Sequence, residues 1–196
     1  SFMHLARRAR CRTYQTVFRI ALPILPYTEP RILEHAEDVP AVLQKRSIQR
    51  VLIVTDPGIA RLGLTAPLER ALASKGIDAT VYAETRANPT VSNVEEAAAL
   101  YRENDCRAII GFGGGSAMDC AKGVGARIAQ PDKPINKMRG LLRVHRLLPL
   151  RIAVPTTAGT GSEVTLAAVI TDGETHYKYP INDFVLIPRF AVHDPE

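Results

Sequence analysis

The chain has 196 residues, 46% of them hydrophobic and 23% charged, with 13 Gly, 14 Pro, 3 Cys and no Trp. That makeup excludes a disordered, collagenous or coiled-coil chain and provides for one full domain with an apolar core. The formal net charge of +5 is lopsided: residues 1–30 carry Arg7, Arg8, Arg10, Arg12 and Arg19 against Glu29 alone, a balance of +4, which leaves +1 for the rest. A nearly neutral body argues against a nucleic-acid partner, which needs Lys and Arg spread over a folded face. No apolar run approaches the roughly 18 residues of a membrane span, and the most apolar early stretch, Ile20 to Leu25, is interrupted by Pro23. No membrane association is expected. Cys11, Cys106 and Cys120 are odd in number and lack CxxC spacing, so neither a disulfide framework nor a thiolate zinc site is expected, and a reducing cytoplasm fits.

Ser1 and Phe2 read as a remnant ahead of a natural start at Met3. From His4 to Arg19 the chain is Arg-rich and free of acids, which describes an exposed basic arm or a mitochondrial presequence. Residues 1–30 are therefore assigned to the arm and 31–196 to the folded domain. The apolar continuation Tyr14 to Leu25 has the character of a segment that packs on a second subunit, and a homodimer or higher homo-oligomer is expected.

From residue 31 onward, short β-branched runs alternate with longer helical patterns, the signature of stacked βαβ units. Strands are predicted at Arg50 to Thr55, Ala79 to Ala83, Ala108 to Phe112 and Arg151 to Val154, and the near-continuous apolar character of three of them indicates a parallel sheet covered on both faces. Helices are predicted at Val39 to Gln44, Ala66 to Ser74, Val94 to Tyr101 and Ala117 to Ile128, with Gly76 as the stop of the second. Thr165 to Thr171 and His176 to Asn182 flank the turn-rich Asp172-Gly173-Glu174 as an antiparallel hairpin, and a last short strand runs from Arg189 to Val192. The expected class is α/β: a Rossmann-like, open, mostly parallel sheet with helices on both faces, plus a β-hairpin.

Three segments carry candidate chemistry. Gly113-Gly114-Gly115-Ser116 falls where a strand hands over to a helix. Residues without Cβ let backbone N–H groups approach a diphosphate, and the positive end of the helix dipole points to the same place. Ser116 and Asp119 have capping-box spacing, and Lys122 stands one turn further, where it would offset added negative charge. The alternative is a tight turn without ligand. The motif is neither G-x-G-x-x-G nor a P-loop, which disfavours a nucleoside-triphosphate hydrolase. The second segment, Pro155 to Thr165, supplies the hydroxyls of Thr156, Thr157 and Thr160 with two glycines and a single charge, a set suited to hydrogen-bonding a neutral polar cofactor, or to a Ser/Thr-rich surface connection. The third is Asp56, in Thr55-Asp56-Pro57-Gly58 after a strand. A carboxylate there accepts hydrogen bonds from an adenosine ribose and repels a 2′-phosphate, favouring NAD over NADP, whereas the alternative is a plain Asp-Pro-Gly turn.

Taken together, VTDPG at 54–58, ANPT at 87–90, GGGSAMDCAK at 113–122, PTTAGTGSEVT at 155–165 and ITD at 170–172, with Lys178, resemble the N-terminal dinucleotide-binding domain of the iron-containing (group III) alcohol dehydrogenases, which share the dehydroquinate synthase-like fold. The resemblance implies that Gly114, Gly115 and Ser116 hold the pyrophosphate of NAD, that Asp56 contacts the adenosine ribose, and that Asn88, Thr156, Thr157, Thr160, Val169 and Lys178 line the cofactor. It further implies hydride transfer between NAD and a primary alcohol or diol, with aldehyde as product. The Fe²⁺ or Zn²⁺ of that reaction is held, in the family, by one Asp and three His in a C-terminal helical domain that this sequence does not contain. No catalytic residue and no metal ligand is assigned in this chain: His4, His35, His145, His176 and His193 are scattered, and Asp194 matches a family Asp-Pro that opens the interdomain turn. Alternatives are a truncated, non-catalytic nucleotide-binding or assembly module, and a related lyase or polyol dehydrogenase.

Overall fold

The computed structural model describes residues 28–194. The basic arm falls almost wholly outside the described residues. Among the described residues, nine strands and five α-helices follow in chain order. They are β1 (Arg31–Leu33), α1 (Val39–Gln44), β2 (Arg50–Val54), α2 (Pro57–Arg61), α3 (Ala66–Ser74), β3 (Asp78–Tyr82), α4 (Val91–Glu103), β4 (Ala108–Gly113) and α5 (Gly115–Ala129). After these come β5 (Gly140–Leu141), β6 (Leu150–Pro155), β7 (Ala167–Thr171), β8 (Lys178–Asn182) and β9 (Phe190–Val192).

Six strands form one sheet in the order β1-β9-β6-β4-β2-β3, parallel throughout. Pleating alternates the side chains of β2 between the two faces. Val51 and Ile53 join Leu43, Leu68 and Leu72 from α1 and α3 on one side, while Leu52 and Val54 join Val94, Ala97 and Val124 from α4 and α5 on the other. Helices on both faces of an open α/β sheet are what the apolar runs predict.

The predicted hairpin is present as antiparallel β7 and β8, with β5 adding a third, parallel strand. This small sheet packs against α5, so α5 lies between two sheets and is buried almost all round. Gly123 permits the approach: a Cβ there would come within 2.9 Å of Val94 on α4 and 3.2 Å of Ile170 on β7.

Several boundaries differ from expectation. α4 begins at Val91, before the predicted Val94, because Thr90 and Asn93 form a reciprocal capping box. The Asp-Pro-Gly segment opens the short helix α2 instead of a simple turn, with Pro57 in its first turn. Ser116 and Asp119 do not cap α5. Its N-cap is Gly114, in extended conformation, and Asp119 turns away to accept the Val169 N–H at 3.0 Å. No described helix is long and apolar enough to cross a membrane.

Candidate functional site

The chain builds β2 and β3 on one side of the sheet, then returns to β4 and continues outward to β6 and β9. The order therefore reverses between β2 and β4, and ligands of open α/β sheets collect beyond the carboxyl ends of the strands at such a point. Asp56 follows β2 there, and Gly113 to Ser116 follow β4.

Gly113 has φ of +137°, a conformation that L side chains rarely adopt, and it turns the chain from β4 into α5. A Cβ on it would lie 3.3 Å from Asp56 Oδ2, so that oxygen faces the corner. Asp56 Oδ1 is already engaged, accepting the N–H groups of Gly58 at 2.8 Å and Ile59 at 3.0 Å. The turn reading and the ligand reading of Asp56 thus use different oxygens of one carboxylate.

The opposite wall is the loop between β6 and β7. Its first residue is tied to the corner by the Thr156 N–H donating to Gly113 O at 3.0 Å. A Cβ on Gly114 would meet Thr157 Oγ1 at 3.2 Å, and one on Gly115 would meet Ser162 Oγ at 3.4 Å and Thr160 at 3.6 Å. Hydroxyls therefore line a cleft whose floor is bare backbone at the start of a helix. Gly114, Gly115 and Ser116 all remain partly exposed.

Asn88 adopts a left-handed φ of +62° in the loop after β3, and its N–H donates to Ser116 Oγ at 3.2 Å. Val169 joins α5 through Asp119. Lys178 stands further off, exposed, paired in the sheet with Thr171, whose N–H donates to Pro89 O beside Asn88. Directly paired residues share a face, so Lys178 and Val169 look to the same side of β7–β8. The structure thus gathers Asp56, Asn88, Gly114, Gly115, Ser116, Thr157 and Thr160 closely, with Thr156 at the loop's root and Val169 and Lys178 at the periphery.

Lys122 does not face the glycine corner as its spacing suggests. It is 1% exposed, and its Nζ donates to Thr165 O at 2.9 Å, Thr165 Oγ1 at 3.0 Å and Ala167 O at 2.7 Å.

A cavity of about 900 Å³ adjoins the hydroxyl loop, with an apolar wall that includes Leu64, Leu68, Phe112, Val154 and Val192. Sequence reasoning missed it because its wall is assembled from five separated segments. Glu163 also lines it, and Glu163 Oε2 is buried without a hydrogen-bond partner among the described residues. On the rim, one ligand atom each of His35, Glu37 and Asp194 lies within 4.8 Å of the others. Asp194 Oδ2 accepts the Ala36 N–H at 3.3 Å and lies 3.8 Å from His35 Nδ1. These residues come from opposite ends of the chain, and no spacing in the sequence signals their meeting.

An open, doubly wound α/β sheet with a glycine corner at its switch point defines a broad class of ligand-binding domains. Comparison with known proteins narrows it. A family model described as "Iron-containing alcohol dehydrogenase" matches residues 32–195, and the chain belongs to that family. Choline dehydrogenase of Bacillus subtilis (strain 168) is 34% identical over 151 residues, which are 76% of this chain and 38% of that protein. Among solved structures, an alcohol dehydrogenase from Oenococcus oeni superposes with a TM-score of 0.80 at 34% identity, over 86% of this chain and 46% of that one. A sulfoacetaldehyde reductase from Bifidobacterium kashiwanohense, solved in complex with NAD+, gives 0.74 at 30% identity over 86% and 46%. The chain spans less than half the length of each.

Proposed function

We propose that this chain is the dinucleotide-binding half of an NAD-linked, iron-type alcohol dehydrogenase that interconverts a primary alcohol or diol and its aldehyde. The observation that carries the reading is the corner itself, where Cβ-free Gly114 and Gly115 at the start of α5 lie beside the hydroxyls of Thr157 and Ser162, with Asp56 Oδ2 beside Gly113. Family membership and a relative solved with NAD+ support it.

The donor set suits a diphosphate. Backbone N–H groups and neutral hydroxyls bind its oxygens without burying a cation, and the helix dipole adds about half a positive charge at the same point. Asp56 Oδ2 is free of the cap and accepts from vicinal ribose hydroxyls, while its charge repels a 2′-phosphate. The adjoining cavity falls within the roughly 300–1,000 Å³ of small-molecule sites, and its apolar wall suits a flat base. Bound NAD supplies the hydride acceptor, so that alcohol and NAD+ give aldehyde, NADH and a proton. This chain's own residues bind and orient that group.

Iron does not fit the residues described. His35, Glu37 and Asp194 offer one histidine in an exposed cluster, unlike the family's one Asp and three His. Compartment and assembly belong to the same proposal: a cytoplasmic or, with a functional presequence, mitochondrial protein that assembles as a homodimer or larger.

Titrating NADH and NADPH into wild type and Asp56→Asn tests the reading. The substitution keeps a cap oxygen for Gly58 and Ile59 but removes the charge. NADH affinity is expected to fall several-fold and the NADH/NADPH preference about tenfold. Wild type that binds neither dinucleotide below millimolar concentration overturns the assignment.

A further inference from the structure

The loop that walls the cleft makes few bonds of its own. Gly159 and Gly161 take positive φ of +90° and +62°. Within it the Val164 N–H donates to Gly161 O at 3.1 Å, and the bonds from the Ser162 N–H to Thr160 Oγ1 and from the Thr165 hydroxyl to Ser162 O are both stretched to 3.5 Å. Such a segment has no internal reason to hold its hydroxyls over the glycines. Its place is set at its ends. At the start, the Thr156 N–H donates to Gly113 O. At the far end, the Asp183 N–H donates to Leu166 O at 3.0 Å, all three acceptors of Lys122 Nζ belong to the flanking Thr165 and Ala167, and Asp119, one turn earlier on the same helix, accepts the Val169 N–H.

We infer that Lys122 is a positioning residue for the dinucleotide: its ammonium staples the far end of the hydroxyl loop to α5, the helix whose first turn forms the floor of the cleft. The inference rests on the reading of the cleft as a dinucleotide site. A rigid helix carries both the corner amides and the staple, so floor and wall keep a fixed separation across the cleft. An ammonium has three N–H donors and finds three acceptors; the neutral amine has two and leaves one of these half-buried acceptors without its donor.

Burial pulls the Lys122 ammonium down to about 8, against the opposing attraction of Asp119 on its own helix. Arg151 from β6 acts with burial, and Glu163 from the loop acts against it. Deprotonation therefore falls within a testable range, and the loop loosens as the pH rises through it.

The experiment is NADH titration of wild type and Lys122→Met at pH 7 and pH 9.5, with hydrogen exchange of residues 156–165 followed in the absence of ligand. At pH 7 the variant is expected to bind NADH at least tenfold more weakly and to exchange faster in 156–165, with β4 unchanged. Wild type is expected to lose affinity at least fivefold between pH 7 and 9.5, and the variant to show no such loss. Should Lys122→Met not fold, Thr165→Val removes one of the three acceptors and is expected to weaken NADH two- to threefold and to speed loop exchange. Wild type that binds NADH equally at both pH values, or a folded Lys122→Met that binds as wild type does, overturns the staple and leaves the dinucleotide site standing. Wild type that binds no NADH at pH 7 overturns both.

Discussion

The six-stranded sheet and the loop at its carboxyl edge are built on opposite terms. In the sheet, Val51 to Val54, Ala108 to Ile110 and Ile152 to Ala153 are essentially inaccessible, and each strand is bonded along its length to parallel neighbours. In the loop, residues 156–160 are exposed, and its geometry depends on Gly113 O at one end and, at the other, on Lys122 together with the Asp183 N–H that donates to Leu166 O. Apolar burial is distributed over many side chains and tolerates local error, whereas a loop held at two ends fails when either end is released. The first region is where stability resides and the second is where ligand recognition is expected, so changes in the two should separate in measurement.

The largest stability effect is expected at Ile110, fully buried on the central strand β4. Ile110→Ala should cost about 2–5 kcal/mol in urea unfolding, while the fraction that remains folded binds NADH as wild type does. A weakened affinity in that folded fraction would mean that sheet and cleft are not separable.

A smaller effect is expected from pH. Burial pushes the Cys120 thiol, wholly enclosed on α5, up to about 12, with the Thr85 hydroxyl acting in the opposite direction. An unfolded cysteine ionises near 8.5. Between about 8.5 and 12 the unfolded chain releases a proton that the fold retains, so this group's contribution to stability is complete below 8.5 and is lost as the pH rises through that window. Cys120→Ala should be less stable at pH 7 but should lose less stability than wild type between pH 8 and 10. Parallel pH profiles for the two proteins would remove Cys120 from the alkaline transition.

The smallest stability change belongs to Asp56→Asn, because asparagine caps helices about as well as aspartate. Its melting temperature should remain within about 2 °C of wild type while its dinucleotide preference shifts. A large drop would show that Asp56 serves the fold first.

How far the sequence reveals these two regions follows from range. β2, β4 and β6 are legible because both faces are covered and the apolar run is continuous, and the β7–β8 hairpin because the turn-rich Asp172-Gly173-Glu174 separates two short runs. β1 was not legible: Arg31–Leu33 is three residues long and is a strand because β9, nearly 160 positions later, lies beside it. The glycine corner and its hydroxyl wall were legible as motifs, since strand, glycine and helix are contiguous. The partners of Ser116, Asp119 and Lys122 were not. Spacing suggested a capping box and a phosphate-facing cation, but the acceptors and donors these side chains find lie 28 to 50 residues away. A lysine within Cys120 to Ala126, a stretch otherwise made of small and apolar residues, is the signal in the sequence that points to the staple.

The central claim is that bare main-chain at the start of α5 receives the diphosphate. Gly114 has φ of −82°, accessible to any residue, so valine there leaves the backbone unstrained while projecting methyl groups towards Thr157 across the cleft. Measuring NADH binding to Gly114→Val by fluorescence titration, with circular dichroism to establish folding, tests the claim directly. The account predicts at least a tenfold loss of affinity in a protein that remains folded; unchanged affinity would contradict it.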